Sequence, residues 1–303
     1  EADPAGRPIV RSQILALGMS AGAIEGARAQ GFQVVRTDAL YGETVLVTLR
    51  APAGMSTRRA LRHLREADPD GVYDFDHLHL ESGVALRLVG FAQGSAGNGP
   101  RLGLVDSGVA PSTPVVVQRG FAAEESIAGA HGTAIAGLLS SAAPGARIYA
   151  ADIYGGAPTG GASSALARAL SWLAEQNVPV INVSLVGPRN QIVEAVVARL
   201  VARGIVIVAA VGNDGPSAAP LFPASYDGVI GVTGVDARGR VLVEAGRGAQ
   251  VDFAALGVNG RNRGTSFAAP IVAARLALHM AAPGASSAQT AIEVMRNEAH
   301  DLG

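Results

Sequence analysis

Leu102-Gly103-Leu104-Val105-Asp106-Ser107-Gly108 is an apolar run that stops on a carboxylate and a turn. It does not alternate polar with apolar residues, as a strand with one wet face does, so it reads as a strand buried on both faces. Short runs of the same kind recur at residues 148–151, 180–183, 205–210 and 229–232, with helix-length segments between them at 162–176 and 192–203. Buried strands alternating with helices predict a mainly parallel sheet with helices on both faces, a three-layer α/β domain. In such sheets ligands sit at the carboxyl ends of the strands, which is where Asp106 stands.

Upstream the pattern differs. Residues 9–17 read as a strand, Ser20 as the N-cap of a helix through Gln30, and Gly31 as its stop. Residues 32–35 and 44–49 alternate as paired strands do. Ser56 caps a second helix with Ala60, Leu61 and Leu64 on one face, Pro69 ends it, and residues 72–80 form a last alternating strand. The order β-α-β-β-α-β predicts a small α+β ferredoxin-like domain over residues 1–91. Residues 92–100, Ala-Gln-Gly-Ser-Ala-Gly-Asn-Gly-Pro, have the composition of a flexible linker, leaving 101–303 for the α/β domain.

Composition removes several chemistries. The 303 residues are 49% hydrophobic and 16% charged with a formal net charge of −1, so a large core is available and neither nucleic acid nor an anionic membrane is the expected partner. The apolar runs are too short to span a bilayer. Without cysteine there is no thiol nucleophile, thiolate metal site or disulfide. All 24 basic residues other than histidine are arginine, which excludes a Ser-Lys dyad, a Schiff-base lysine and a Gly-Lys-Ser/Thr phosphate loop.

Three further segments stand at strand ends or helix starts: His131-Gly132-Thr133-Ala134, Ala209-Ala210-Val211-Gly212-Asn213-Asp214-Gly215 and Gly264-Thr265-Ser266-Phe267-Ala268-Ala269-Pro270. Taken singly, each has a plain structural use as a cap or turn. Together they supply one chemistry. A serine hydroxyl needs an imidazole to take its proton, and the imidazole needs a buried carboxylate to fix its tautomer. Ser266 at a helix start leaves its N–H free for an oxyanion, and the Asn213 amide supplies a second donor, a contribution of about 3–4 kcal/mol in such sites.

Asp-Ser-Gly, His-Gly-Thr, Ala-x-Gly-Asn and Gly-Thr-Ser-x-Ala-x-Pro, in this order, resemble the signature segments of the subtilisin-like (subtilase) family over residues 100–303. The resemblance implies a serine endopeptidase with Asp106, His131 and Ser266 as triad and Asn213 as oxyanion donor. Ser184, Leu185 and Gly187 would form one edge for an extended peptide and residues 154–161 the other. Ala210, Val211 and Gly212 would line the pocket beside the scissile bond, with Val211 narrowing it. The N-terminal unit is similar to subtilase propeptides, so the chain is expected to be a precursor whose own prodomain acts as chaperone and inhibitor, cut between residues 80 and 101. A monomeric bacterial enzyme, secreted or periplasmic, fits that resemblance, as does loss of a signal before Glu1; catalytic-domain residues are expected beyond Gly303.

Many subtilases hold calcium in surface loops. No cluster of Asp and Asn suited to oxygen coordination is evident here, so neither metal nor cofactor is expected. His77 and His79 share one strand face but lack a third ligand, which reads as a half-exposed face rather than a metal site. The alternative functions are a catalytically silent member of the family and a non-enzymatic α/β binding protein. Against them, all four functional positions are filled and no glycine-rich phosphate loop follows the first strand.

Overall fold

A computed structural model describes residues 1–82, 97–282 and 287–300; the expected boundary at 91–92 and residues 92–96 of the expected linker lie outside them. The N-terminal unit runs β1 (Ile9–Leu17), α1 (Ala21–Ala29), β2 (Gln33–Leu40), β3 (Thr44–Arg50), α2 (Thr57–Ala67) and β4 (Val72–Glu81). Its helices begin where two serines can accept orphan amides: Ala23 N–H donates to the Ser20 hydroxyl and Arg59 N–H to that of Ser56. The strands pair antiparallel in the order β4-β1-β3-β2. Ile14 and Ala16 on one face of β1 pack with Ala27, Leu61 and Leu64 of the two helices. Leu15 and Leu17, pointing the other way, join a different cluster described below.

The second domain continues with β5 (Arg101–Asp106), β6 (Val117–Gly120), α3 (Ala130–Ala142), β7 (Arg147–Asp152), β8 (Gly161–Ala162), α4 (Ser163–Glu175), β9 (Val180–Val183), β10 (Leu185–Val186), α5 (Gln191–Ala202) and β11 (Val206–Ala210). β12 (Ile230–Val235), β13 (Phe253–Leu256), the short pair β14 (Val258–Asn259) and β15 (Asn262–Arg263), α6 (Thr265–Ala281) and α7 (Ala288–Glu298) complete it. Seven strands form one parallel sheet, ordered β13-β12-β11-β9-β5-β7-β6. Leu166 and Leu170 of α4 and Val193 and Val197 of α5 cover one face. Ile135 and Leu139 of α3 and Phe267 and Val272 of α6 cover the other. The three-layer α/β architecture is therefore as expected, with two edge strands, β6 and β13, added to the five read from the sequence.

The two units share a boundary of unusual construction. Leu15, Leu17 and Leu46 rest on α4 and α5, so the N-terminal sheet is apolar on both faces. Two carboxylates of β4 serve helices of the other domain: Asp76 accepts from the Ser164 N–H at 2.9 Å and its hydroxyl at 2.8 Å, and Asp74 accepts from the Gln191 N–H at 2.7 Å. α4 has no side-chain cap of its own, so Asp76 supplies it, and the acid also faces the positive end of the helix dipole. Gly97 and Gly99 donate to the Gly145 carbonyl at 3.2 and 3.0 Å. The last stretch of the expected flexible linker is thus tied to the second domain.

Candidate active site

Asp106 ends β5, which lies between β9 and β7 inside the parallel sheet, and is 1% exposed. Its carboxylate accepts from the Ser107 N–H at 2.7 Å and stands 2.9 Å, through either oxygen, from His131 Nδ1. His131 lies in the first turn of α3, and its ring packs edge-on to Phe267, 5.7 Å between centroids. Burial opposes a charged imidazole, but the Asp106 carboxylate, helped by Glu81, outweighs it and holds the His131 pKa above the ordinary value. Gly132 N–H donates to the Ser107 hydroxyl, locking the helix start against the strand end.

Ser266 occupies the first turn of α6, after Gly264, whose φ of 142° favours glycine. Pro270 sits inside the helix and has no N–H to give the Ser266 carbonyl four residues earlier. Ser184 replaces that bond: its hydroxyl donates to the Ser266 carbonyl at 3.1 Å and accepts from Asn182 Nδ2 at 2.8 Å. The Ser266 hydroxyl and His131 Nε2 are both buried, and neither has a hydrogen-bond partner. Asn213 follows β11; its Oδ1 accepts from the Thr265 N–H at 2.9 Å, which turns Nδ2 toward Ser266's end of the cleft.

The site is filled by the chain itself. Beyond Leu78 and His79, which pair with β8, β4 continues alongside β10 with Leu80 opposite Val186 and Glu81 opposite Leu185. The two edges expected to grip a peptide therefore grip β4. Ser82 N–H donates to the Ser184 carbonyl at 3.2 Å, and the Ser82 carbonyl accepts from the Ser266 N–H at 3.1 Å. Glu81 brings its carboxylate to the Asp106–His131 pair, with ligand atoms of Glu81, Asp106 and His131 all within 4.8 Å of one another. Among the described residues that is the grouping dense enough to share an ion, and with an imidazole in it, it does not suit calcium.

Other expected site residues fall as follows. Ser184, Leu185 and Gly187 line the β10 edge, where Gly187 exchanges two backbone hydrogen bonds with Phe222. A Cβ on Gly187 would lie 2.4 Å from the His79 ring, so this glycine makes the space the ring occupies. Ala210 is buried in the core and Gly212 stands beside Asn213. Val211 corrects an expectation: its side chain belongs to the buried cluster under α4 and α5 instead of narrowing the pocket. Leu221 crowds Gly212 in its place, its Cδ1 2.7 Å from where a Cβ would stand. Thr265, Glu81 and Ser82 were not singled out from the sequence, although Thr265 lies within the quoted Gly-Thr-Ser segment.

His77 and His79 are not half-exposed; both are buried because the second domain covers their face of β4. His77 Nδ1 lies 3.0 Å from Asn190 Nδ2, and Nε2 lies 3.3 Å from Asp3 Oδ2. Burial, with His77 nearby, outweighs backbone contacts of the His79 ring to Gly161 and His77 and pushes its pKa down to about 4. A group depressed in this way contributes stability above its ordinary pKa of 6.5 and loses it as the pH falls toward 4. His79→Leu should therefore make unfolding less pH-dependent, by about 3 kcal/mol between pH 7 and 4. Denaturant titrations of the uncut chain at both pH values measure this; equal pH dependence in the two proteins contradicts it. Asp76, whose pKa burial raises, contributes with the opposite sign and is common to both proteins.

A model of the subtilase family matches residues 97–303. Subtilisin DY from Bacillus licheniformis is 31% identical over 241 residues, covering 70% of this chain and 88% of that protein. Subtilisin E from Bacillus subtilis (strain 168) is 30% identical over 269 residues, covering 76% and 70%. In fold the chain is similar to fervidolysin from Fervidobacterium pennivorans, a keratinolytic enzyme related to subtilisin, with a TM-score of 0.81 at 19% identity. That match takes in all of this chain but spans 59% of the fervidolysin chain.

Proposed function

Because this chain belongs to the subtilase family and is a serine endopeptidase, we propose that Asp106, His131 and Ser266 are its catalytic triad and that it is held here as a precursor. Ser266 attacks a peptide carbonyl while His131 Nε2 takes its proton and Asp106 orients the ring. The Ser266 N–H and Asn213 Nδ2 stabilise the oxyanion. His131 then protonates the leaving amine, and water repeats the sequence on the acyl-enzyme.

The observation that carries this reading is the Ser82 carbonyl on the Ser266 N–H, at 3.1 Å, beside an imidazole 2.9 Å from a buried carboxylate. A peptide carbonyl already stands where the acyl group forms. The N-terminal unit acts as an intramolecular inhibitor, placing its last strand in the cleft as a substrate would lie. The bond it presents is Ser82–Gly83, which narrows the window of 80–101 expected from the sequence. Substrates are peptides lying between β8 and β10. The Bacillus relatives support an extracytoplasmic, bacterial setting.

Mass spectrometry of the refolded chain should show fragments ending at Ser82 and starting at Gly83, with Ser266 alone labelled by a serine-directed phosphonate after the cut. An active chain that stays intact contradicts the precursor reading, and label on another serine contradicts the triad.

A further inference from the structure

We propose that the Ser82 hydroxyl occupies the oxyanion site in the precursor, so that the side chain just before the cut slows the chain's own first cleavage. The inference rests on the reading above, in which Ser82–Gly83 is the bond cut.

Every polar atom of Ser82 is engaged, and the residue is 2% exposed. Its N–H and carbonyl pair with Ser184 and Ser266, as in a bound peptide. Its hydroxyl goes elsewhere: Asn213 Nδ2 donates to Oγ at 3.1 Å, and Thr265 Oγ1 lies 3.0 Å away. Asn213 cannot turn its amide freely, because Oδ1 is committed to the Thr265 N–H. Thr265 is committed as well, accepting from the Gly212 N–H at 3.2 Å.

The carbonyl that must become the oxyanion therefore holds one donor, the Ser266 N–H, while the side chain of the same residue holds the other. Acylation joins Ser266 Oγ to the Ser82 carbonyl carbon, breaks the bond to the Gly83 nitrogen, and passes the Oγ proton through His131 to that nitrogen. Water then hydrolyses the ester and returns a proton to Ser266. Charge gathers on the carbonyl oxygen in both steps, and an absent oxyanion donor costs about 10²–10³ in rate. To recover Asn213 the hydroxyl must leave it, giving up contacts to two groups that are themselves held. An alanine at position 82 has nothing to place there.

The test follows cleavage of the full chain by mass after rapid refolding. Ser82→Ala should be cut after residue 82 at least about thirtyfold faster than wild type. Asn213→Ala should slow the cut less than about threefold in wild type but about 10²-fold or more in the Ser82→Ala background, because only there is the amide free. Added peptides, cut by the mature enzyme, supply a second arm: one with Ser before the bond should show lower kcat than its Ala counterpart at similar KM. Cleavage after residue 82 that is no faster in Ser82→Ala, or Ser and Ala peptides of equal kcat, overturns the inference and leaves the precursor reading intact. Absence of any cut after residue 82 overturns both.

Discussion

Ser266→Ala lowers peptide turnover about 10⁶-fold, the scale established for subtilisin-type triads, and leaves the chain uncut after Ser82. The loss is that large because nucleophile and base act as a unit, so adding His131→Ala to the same protein costs little more. What survives is the part of the rate enhancement that oxyanion donors and substrate binding supply on their own. The same change carries a prediction of opposite sign for stability. The Ser266 hydroxyl is fully buried and makes no hydrogen bond, and a buried unsatisfied polar group costs about 1–3 kcal/mol. Ser266→Ala should thus raise Tm when it is introduced into a His131→Ala chain, where neither protein is cut. Burst kinetics with an activated ester measure the loss of activity, and thermal melts of the two uncut chains measure the change in Tm. Turnover above about one per cent of wild type removes Ser266 from the mechanism, and a lower Tm contradicts the account of its burial.

Asp106→Asn lowers kcat about 10⁴-fold while leaving the fold in place. Asparagine is nearly isosteric, and its Oδ1 can still accept from the Ser107 N–H that now binds Asp106. Its NH₂ then faces His131 Nδ1, 2.9 Å away in the present geometry, and can only donate. The NH₂ repels an Nδ1–H and favours the tautomer in which Nδ1 accepts and Nε2 carries the proton, so the nitrogen that should take the Ser266 proton is no longer free. The pH profile moves too. The catalytic base is the neutral imidazole, so activity rises as pH climbs through the His131 pKa. Asp106 holds that pKa up, and removing its charge shifts the acid limb of kcat/KM to lower pH. An acid limb that stays put, or one that moves upward, would show that Asp106 is not what raises it.

Much of this was legible without coordinates. Strands buried on both faces announce themselves as unbroken apolar runs, and each of the five such runs became a strand of the parallel sheet. Ser20 and Ser56 marked helix starts because an orphan amide needs a nearby oxygen. The pairing of Asp106 with His131 was legible because a buried carboxylate at a strand end and an imidazole at a helix start are types that serve one chemistry. Less was visible where the pattern depends on who covers whom. β6, half exposed along its length, has no apolar signature. His77 and His79 alternate as a half-wet strand does, yet a second domain lies on that face. Val211 sits among the pocket residues in sequence, but its side chain turns into the core. Ser184 replacing the bond that Pro270 denies to Ser266 joins residues 82 positions apart, and no local pattern could reveal it.

The N-terminal sheet, apolar on both faces, has a consequence for the direction of events. While it rests on α4 and α5, Leu15, Leu17 and Leu46 are hidden from water. Once it departs they are not, and each large apolar side chain returned to water costs about 1.5–3 kcal/mol. For a unit of 82 described residues, whose own margin of stability is a few kcal/mol, that is enough to couple leaving to unfolding. An unfolded segment beside an active endopeptidase is a meal. Under the precursor reading proposed above, separation would then work as a ratchet: each departure would expose the departing piece to destruction, and the cleft it vacated would not fill again.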